Sequence, residues 1–262
     1  MTFSEQINAL LTIVRKEIHR FTRIWLQTLV SPAIMIILYF VTIGVIIGSR
    51  IGDMNGFHFL QWMVPGMIMM SVINNTYSNV LSSFFSIKFQ KSVEELLVTP
   101  VPSYVILTGW VLGGVARGLV VAVLVALVSL PFAELHIQNW PLTILVIVLT
   151  SILFSTGGFL NALFAESFDD VSIVPTFILT PLSYLGGIFY SINMLPDFWR
   201  AVSYANPILY MVNALRQGVL GTSDLVSMNM SIQFALFMIL FFIIILFSLS
   251  LWFLNKGKGI RT

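Results

Sequence analysis

Six apolar stretches, 25–48, 58–85, 103–131, 141–165, 171–190 and 230–254, each hold about the 20 residues that a helix needs to cross a hydrocarbon core of about 30 Å. In lipid a backbone polar group finds no water, so stretches of this kind must satisfy their own hydrogen bonds as helices. They predict an all-α integral membrane protein with six transmembrane helices. Composition agrees: 58% of the 262 residues are hydrophobic and 9% charged, where a soluble domain carries about a quarter charged.

The net charge of +2 and its scattered basic residues argue against nucleic acid as a partner. With no cysteine, disulfides and thiol catalysis are excluded, and the redox compartment stays open. No A-x-A-like site follows the first apolar run, so a retained first span is expected rather than a cleaved signal.

Ahead of that span, residues 1–24 alternate at helical period. Phe3, Ile7, Leu10, Leu11, Val14, Ile18 and Phe21 recur on one side, with Glu5, Asn8, Thr12, Arg15, Lys16, His19 and Arg23 on the other. This reads as an interfacial helix on an anionic leaflet, the alternative being a cytosolic helix packed on a partner. Six spans put both termini on one side. Arg15, Lys16, Arg20, Arg23, Lys88, Lys91, Lys256, Lys258 and Arg261 fall on that side, nine in all, against Arg50, Arg200 and Arg216 on the other, so the termini are expected in the cytoplasm.

Two connecting segments stand out. Inside, IKFQKSVEELLVTPVP (87–102) sets Lys91 three and four residues before Glu94 and Glu95 and ends at Pro100, which suggests a short capped helix. It is either a docking element or a plain loop helix. Outside, LSYLGGIFYSINMLPDFWRAVSYANPILYMVNALR (182–216) mixes aromatic residues with the breakers Gly186, Gly187, Pro196, Asn206 and Pro207. Short helices folded back at a membrane face account for that mixture.

No Asp or Glu lies inside the six spans, which argues against coupling to an ion gradient. The chain also lacks G-x-x-x-x-G-K-[ST], so it has no ATP site of the P-loop kind. Arg117 is the one charge well inside a span, and it either faces a wet cavity or a protein partner, or snorkels to the headgroups. Ser71, Asn75, Ser78 and Ser82 form a polar stripe, with Asn74 and Asn79 beside it, suited to a pathway or to interhelical hydrogen bonds. Gly109, Gly113, Gly114 and Gly118, like Gly44 and Gly48, are explained by close helix packing. Nothing suggests a metal site.

EELLVTPVP before the third span and SYLGGIFYSINMLPDFW…NPILYMVNALR between the fifth and sixth resemble the permeases of ABC-2-type transporters, in particular the branch of YadH-like and NodJ-like inner-membrane permeases. The resemblance covers the whole chain, and Ser191 departs from it where proline is frequent. It implies a single domain, 1–262, of type V exporter-like fold: interfacial helix 1–24, spans at 25–48 and 58–85, a coupling helix in 87–102, spans at 103–131, 141–165 and 171–190, an outer re-entrant segment 191–221, a last span 230–254 and a cytoplasmic tail 255–262.

The resemblance further implies a transport subunit that is not itself an enzyme and holds no cofactor. ATP and Mg would bind two copies of a separate ABC ATPase subunit, beneath a homodimer of permeases embedded in lipid in a bacterial inner membrane. Lys91, Glu94, Glu95, Leu96, Leu97, Thr99 and Pro100 would contact the ATPase. Gly186, Gly187, Tyr190, Pro196, Asn206, Pro207 and Arg216 would hinge and frame an outer gate, and Ser71, Asn75, Ser78 and Arg117 are candidates for pathway or dimer lining. The cargo would be amphipathic, lipid-linked or glycan-like, or a drug. The other readings are an ATP-independent secondary transporter or channel, favoured by solute movement without nucleotide, and a membrane scaffold for a biosynthetic complex, favoured by ATP turnover without movement.

Overall fold

A computed structural model describes residues 1–48, 52–225 and 230–257. Arg50, Lys258 and Arg261, counted above for orientation, lie outside the described residues. Thr2 and Glu5 close a capping box at the start of α1 (Phe3–Arg23), with the Thr2 N–H donating to the Glu5 carboxylate at 2.7 Å. Two donors that the first turn cannot satisfy are thereby met.

α1 uses two faces. Phe3, Ile7, Leu11 and Ile18 stay exposed along one stripe. Ile13, Glu17 and Phe21 are buried on another. Phe21 therefore leaves the lipid stripe that periodicity assigned it, because four-residue spacing from Ile13 and Glu17 aligns it with the inward face.

α2 (Ser31–Tyr39) continues at both ends into π-helical turns, Leu26–Val30 and Phe40–Ile47. A two-stranded hairpin follows, β1 (Asp53–Met54) against β2 (Phe57–His58), so the chain is mostly but not wholly helical. Its turn is Asn55-Gly56, both at positive φ (49° and 82°), the conformation that a two-residue hairpin demands and that Asn-Gly adopts readily.

α3 (Phe59–Phe89) is the central helix, burying 20 of its 31 residues against α5 (Ser103–Ser129), α6 (Trp140–Phe164) and α10 (Pro207–Leu220). At 1.5 Å per residue it is about 46 Å long, which exceeds the hydrocarbon core. Between α3 and α5 sits α4 (Val93–Val98). The glycines of α5 do two jobs: Gly109 and Gly113 admit Ile13 and Glu17 of α1, while Gly114 and Gly118 admit Ser155 and Ser151 of α6.

The run 168–185 is divided into α7 (Phe168–Val174), a π-helical turn Pro175–Leu179 and α8 (Thr180–Leu185). Pro175 has no N–H for the Val171 carbonyl, which instead accepts from Asn161 Nδ2 of α6 at 3.3 Å. A 3₁₀ turn (Ile192–Met194), α9 (Asp197–Tyr204) and α10 make up the broken segment after it, and α11 (Ile232–Lys256) closes the described chain. α11 buries only Ala235, Ile239, Ser250 and Leu254, leaving large apolar side chains such as Phe237, Phe241 and Ile244 outward.

Among the described residues four helices are long and apolar enough to cross a membrane: Leu26–Gly44, α5, α6 and α11. The other two expected spans have physical reasons to differ. α3 carries the polar stripe that dilutes its hydropathy, and the 168–185 run is cut by Pro175 and Pro181.

Candidate functional site

Among the described residues three gatherings of polar side chains bear on the sites expected from sequence. The first is the end where α3, α4 and α6 meet. Lys91 takes a left-handed φ of 58° in the turn after α3, and α4 begins only at Val93, so Lys91 does not share a helical face with Glu95 as spacing suggested. Among the described residues no ion pair joins the two. Val93 is 2% exposed and anchors α4, whereas Val98 is 87% exposed and Glu95, Thr99 and Pro100 are exposed with it. The side chains of Glu94, Leu96 and Leu97 lie outside the described ones. A recess of about 400 Å³ behind α4 is lined by Lys16, Gln90, Ser92, Glu95, Thr99 and Trp110, so α1, α4 and α5 share one platform. Lys16 Nζ lies 5.1 Å from the Trp110 ring, and desolvation pulls its amine below the ordinary lysine value.

At the same end Lys88 donates to the carbonyls of Leu163 and Ala165 at 2.6 and 2.7 Å, satisfying the C-terminus of α6. Burial lowers its pKa. Asp170 accepts from the N–H groups of Ser167 and Glu166 at 2.9 and 3.0 Å, and the Ser167 backbone bond foremost holds this carboxyl below its usual range.

The second cluster joins α1, α3 and α5. The Ser83 hydroxyl donates to Glu17 Oε1 at 2.5 Å and accepts from the Trp110 indole at 3.2 Å, while Arg20 Nε lies 3.3 Å from Glu17 Oε2. Arg20 Nη2 and Arg117 Nη1 then meet on one oxygen, Asn79 Oδ1, at 2.7 and 3.2 Å, and Arg117 Nη2 donates to Asn75 Oδ1 at 2.8 Å. Arg117 thus turns inward, to a recess of about 380 Å³ also lined by Gln27, Ser31, Asn74, Asn75, Ser78 and Ser82. Ser71 is buried away from it.

The third cluster lies in the broken segment. Arg216 is fully buried under the Trp62 ring (4.1 Å), donates to Gly187 O at 3.0 Å and pairs with Asp224 at 3.8 Å. Asp224 accepts from the Ser191 hydroxyl (2.6 Å), the Ile192 N–H (3.1 Å) and Asn55 Nδ2 (3.1 Å). Gly187 supplies a left-handed turn at φ 70°. Asn206 caps α10 through the Ile208 N–H and donates to Leu182 O at 2.6 Å, with Pro207 at the first helical position. Tyr190 donates to Tyr184 O at 2.7 Å, and Pro196 precedes α9. All seven outer-gate candidates therefore lie in this one hydrogen-bonded segment and the helices bounding it.

Sequence reading missed Glu17, Arg20 and Asp224 as site members. The signal for Glu17 was its four-residue spacing from Ile13 and Phe21; Asp224 lay beyond the expected end of the segment. Neither buried acid is in a span, and each lies beside an arginine. Among the described residues no cluster of His, Cys, Asp and Glu could hold a metal.

Four apolar helices of membrane-crossing length among the described residues, beside buried polar clusters, define a multi-helix membrane protein. Residues 8–220 match the ABC-2 type transporter family, and the chain belongs to it as a membrane subunit of an ABC transporter. It is 53% identical over 255 residues, 97% of each chain, to the inner membrane transport permease YadH of Escherichia coli strain K12. It is also 22% identical over 182 residues, 68% of each chain, to nodulation protein J of Sinorhizobium fredii, and 25% identical over 191 residues, 71% of each, to that of Rhizobium leguminosarum bv. trifolii.

Proposed function

We propose that the chain is the permease of an ATP-driven exporter in a bacterial inner membrane, with six spans, cytoplasmic termini and two copies around a central axis. The observation that carries this reading is α4: among its described side chains Val93 is buried in the bundle, while Glu95 and Val98, with Thr99 and Pro100 after them, stand exposed, and Lys16 of α1 lines the recess behind. A short helix that is buried at Val93 and presents exposed residues outward suits a lever for a soluble partner. Glu94, Leu96 and Leu97 would complete the contact, and family membership supports an ABC ATPase as that partner.

In this reading two ATPase subunits bind ATP and Mg and close beneath the membrane. The two α4 helices transmit that closure, shifting the spans between two arrangements biased by nucleotide. At the far end the segment framed by Gly186, Gly187, Tyr190, Pro196, Asn206, Pro207 and Arg216 closes the exit. The spans at 25–48, 58–85 and 171–190 would line the path for an amphipathic, lipid-linked or glycan-type cargo or a drug.

The test is purification of the chain with the ABC ATPase expressed beside it, and of the Glu94→Lys, Glu95→Lys variant. The complex should weaken and its ATP turnover uncouple from cargo. An intact, fully coupled complex in the double variant would remove α4 from the contact.

A further inference from the structure

We propose that the recess between α1, α2, α3 and α5 binds the phosphate-bearing headgroup of an anionic amphiphile, with Arg117 and Arg20 as its cationic floor. Two guanidinium groups converge there on a single neutral acceptor, Asn79 Oδ1. Their charges are unequally compensated. Arg20 is paired with Glu17, the carboxylate facing the cluster from α1, at 3.3 Å. Arg117 has only the amide oxygens of Asn75 and Asn79, and its Nε is buried without a hydrogen-bond partner among the described residues. A cation removed from water and held by neutral groups retains most of its desolvation penalty, and an oxyanion that it can grip through two N–H groups relieves it.

The walls favour a headgroup over a bare ion. Gln27 and Ser31 of the first helical run and Asn74, Ser78 and Ser82 of α3 are exposed polar groups that line the recess. Ile24 and Pro32 line its rim, and Trp25 and Leu26 beside them are exposed apolar side chains that can meet acyl chains. Gly113 lies under Glu17 of α1 and is one helical turn from Arg117, so α1 borders the site and gives a headgroup a polar wall to follow. The role of this amphiphile as cargo rests on the permease reading; its binding needs no nucleotide.

The full chain in a neutral detergent would be offered phosphatidic acid or phosphatidylcholine of the same acyl chains, and retained lipid counted by native mass spectrometry. Wild type should prefer phosphatidic acid by about tenfold, the scale of one charge-assisted contact. Arg117→Gln should abolish the preference, and Arg117→Lys should keep part of it. Ser78→Asp, at an exposed position, should abolish it with the arginines in place, which separates loss of the site from loss of the fold. If inorganic phosphate displaces phosphatidic acid at equal concentration, the phosphate site stands but the acyl chains add nothing. Equal preference in wild type, Arg117→Gln and Ser78→Asp overturns the proposal. A chain that binds the amphiphile but never moves it, with ATPase and ATP supplied, contradicts the permease reading and leaves the site intact.

Discussion

Arg216 Nη1 and Asp224 Oδ2 lie 3.8 Å apart with both side chains fully buried, and each also holds backbone of the loop between α8 and α9. Arg216 takes the Gly187 carbonyl and Asp224 the Ile192 N–H, so one ion pair fastens both ends of residues 187–192. The pair explains how a segment with so many breakers stays folded: side chains satisfy the backbone groups that its short helices cannot.

Removing one partner of a buried pair leaves an uncompensated charge, typically at a loss of about 3–5 kcal/mol. Asp224→Ala should therefore lower the thermal midpoint in detergent and expose residues 187–192 to proteolysis. Arg216→Met with Asp224→Leu should recover much of the midpoint, since neither charge remains. Equal destabilisation by the single and double variants would show that the backbone contacts, not the charges, hold the segment.

Gly66 of α3 gives a second handle on the same region. A Cβ there would meet the carbonyl of Ile188, which is backbone and cannot rotate away. Gly66→Ala should cost about 1–3 kcal/mol by overpacking and loosen the seat of the 187–192 loop on α3. Hydrogen exchange at 187–192 should rise, with α5 and α6 unchanged; uniform exchange across the bundle would refute a local role.

Much of this architecture was legible because lipid leaves an apolar stretch few options. The four long apolar helices, the α4 segment ending before Pro100 and the broken segment after α8 follow from run length and breaker position. The polar clusters were less so. Glu17 looks like any residue on the hydrophilic side of an interfacial helix until Gly113 opens α5 beneath it. Lys91 looks helical by spacing, yet one left-handed residue removes it from α4. Asp224 is 8 residues from Arg216 in sequence, and only the turn at Gly221 (φ 73°) brings the chain back toward it.

Acid should act where α6 passes into α7. Asp170 has a folded value depressed below the ordinary 3.8 by the Ser167 and Glu166 N–H groups. A depressed carboxylate contributes stability that is complete above 3.8 and lost as pH falls through the folded value. Asp170→Asn should thus reduce the midpoint near neutral pH and flatten its decline at acid pH. An unchanged acid limb would assign the decline to another group.

Val93 tests whether α4 acts as a lever. A helix of six residues has no stability of its own, and Val93 is the buried one among its described side chains. Val93→Asp places a charge in an apolar seat and should release α4, while α3, α5 and α6 pack on one another without it. The thermal midpoint of the bundle should therefore hold. Cargo-stimulated ATP hydrolysis by the assembled transporter should fall by about tenfold, equivalent to about 1.4 kcal/mol of coupling. A lowered midpoint with normal stimulation would mean that Val93 supports the bundle and that force enters elsewhere, with the α1 platform around Lys16 and Trp110 as the next place to substitute.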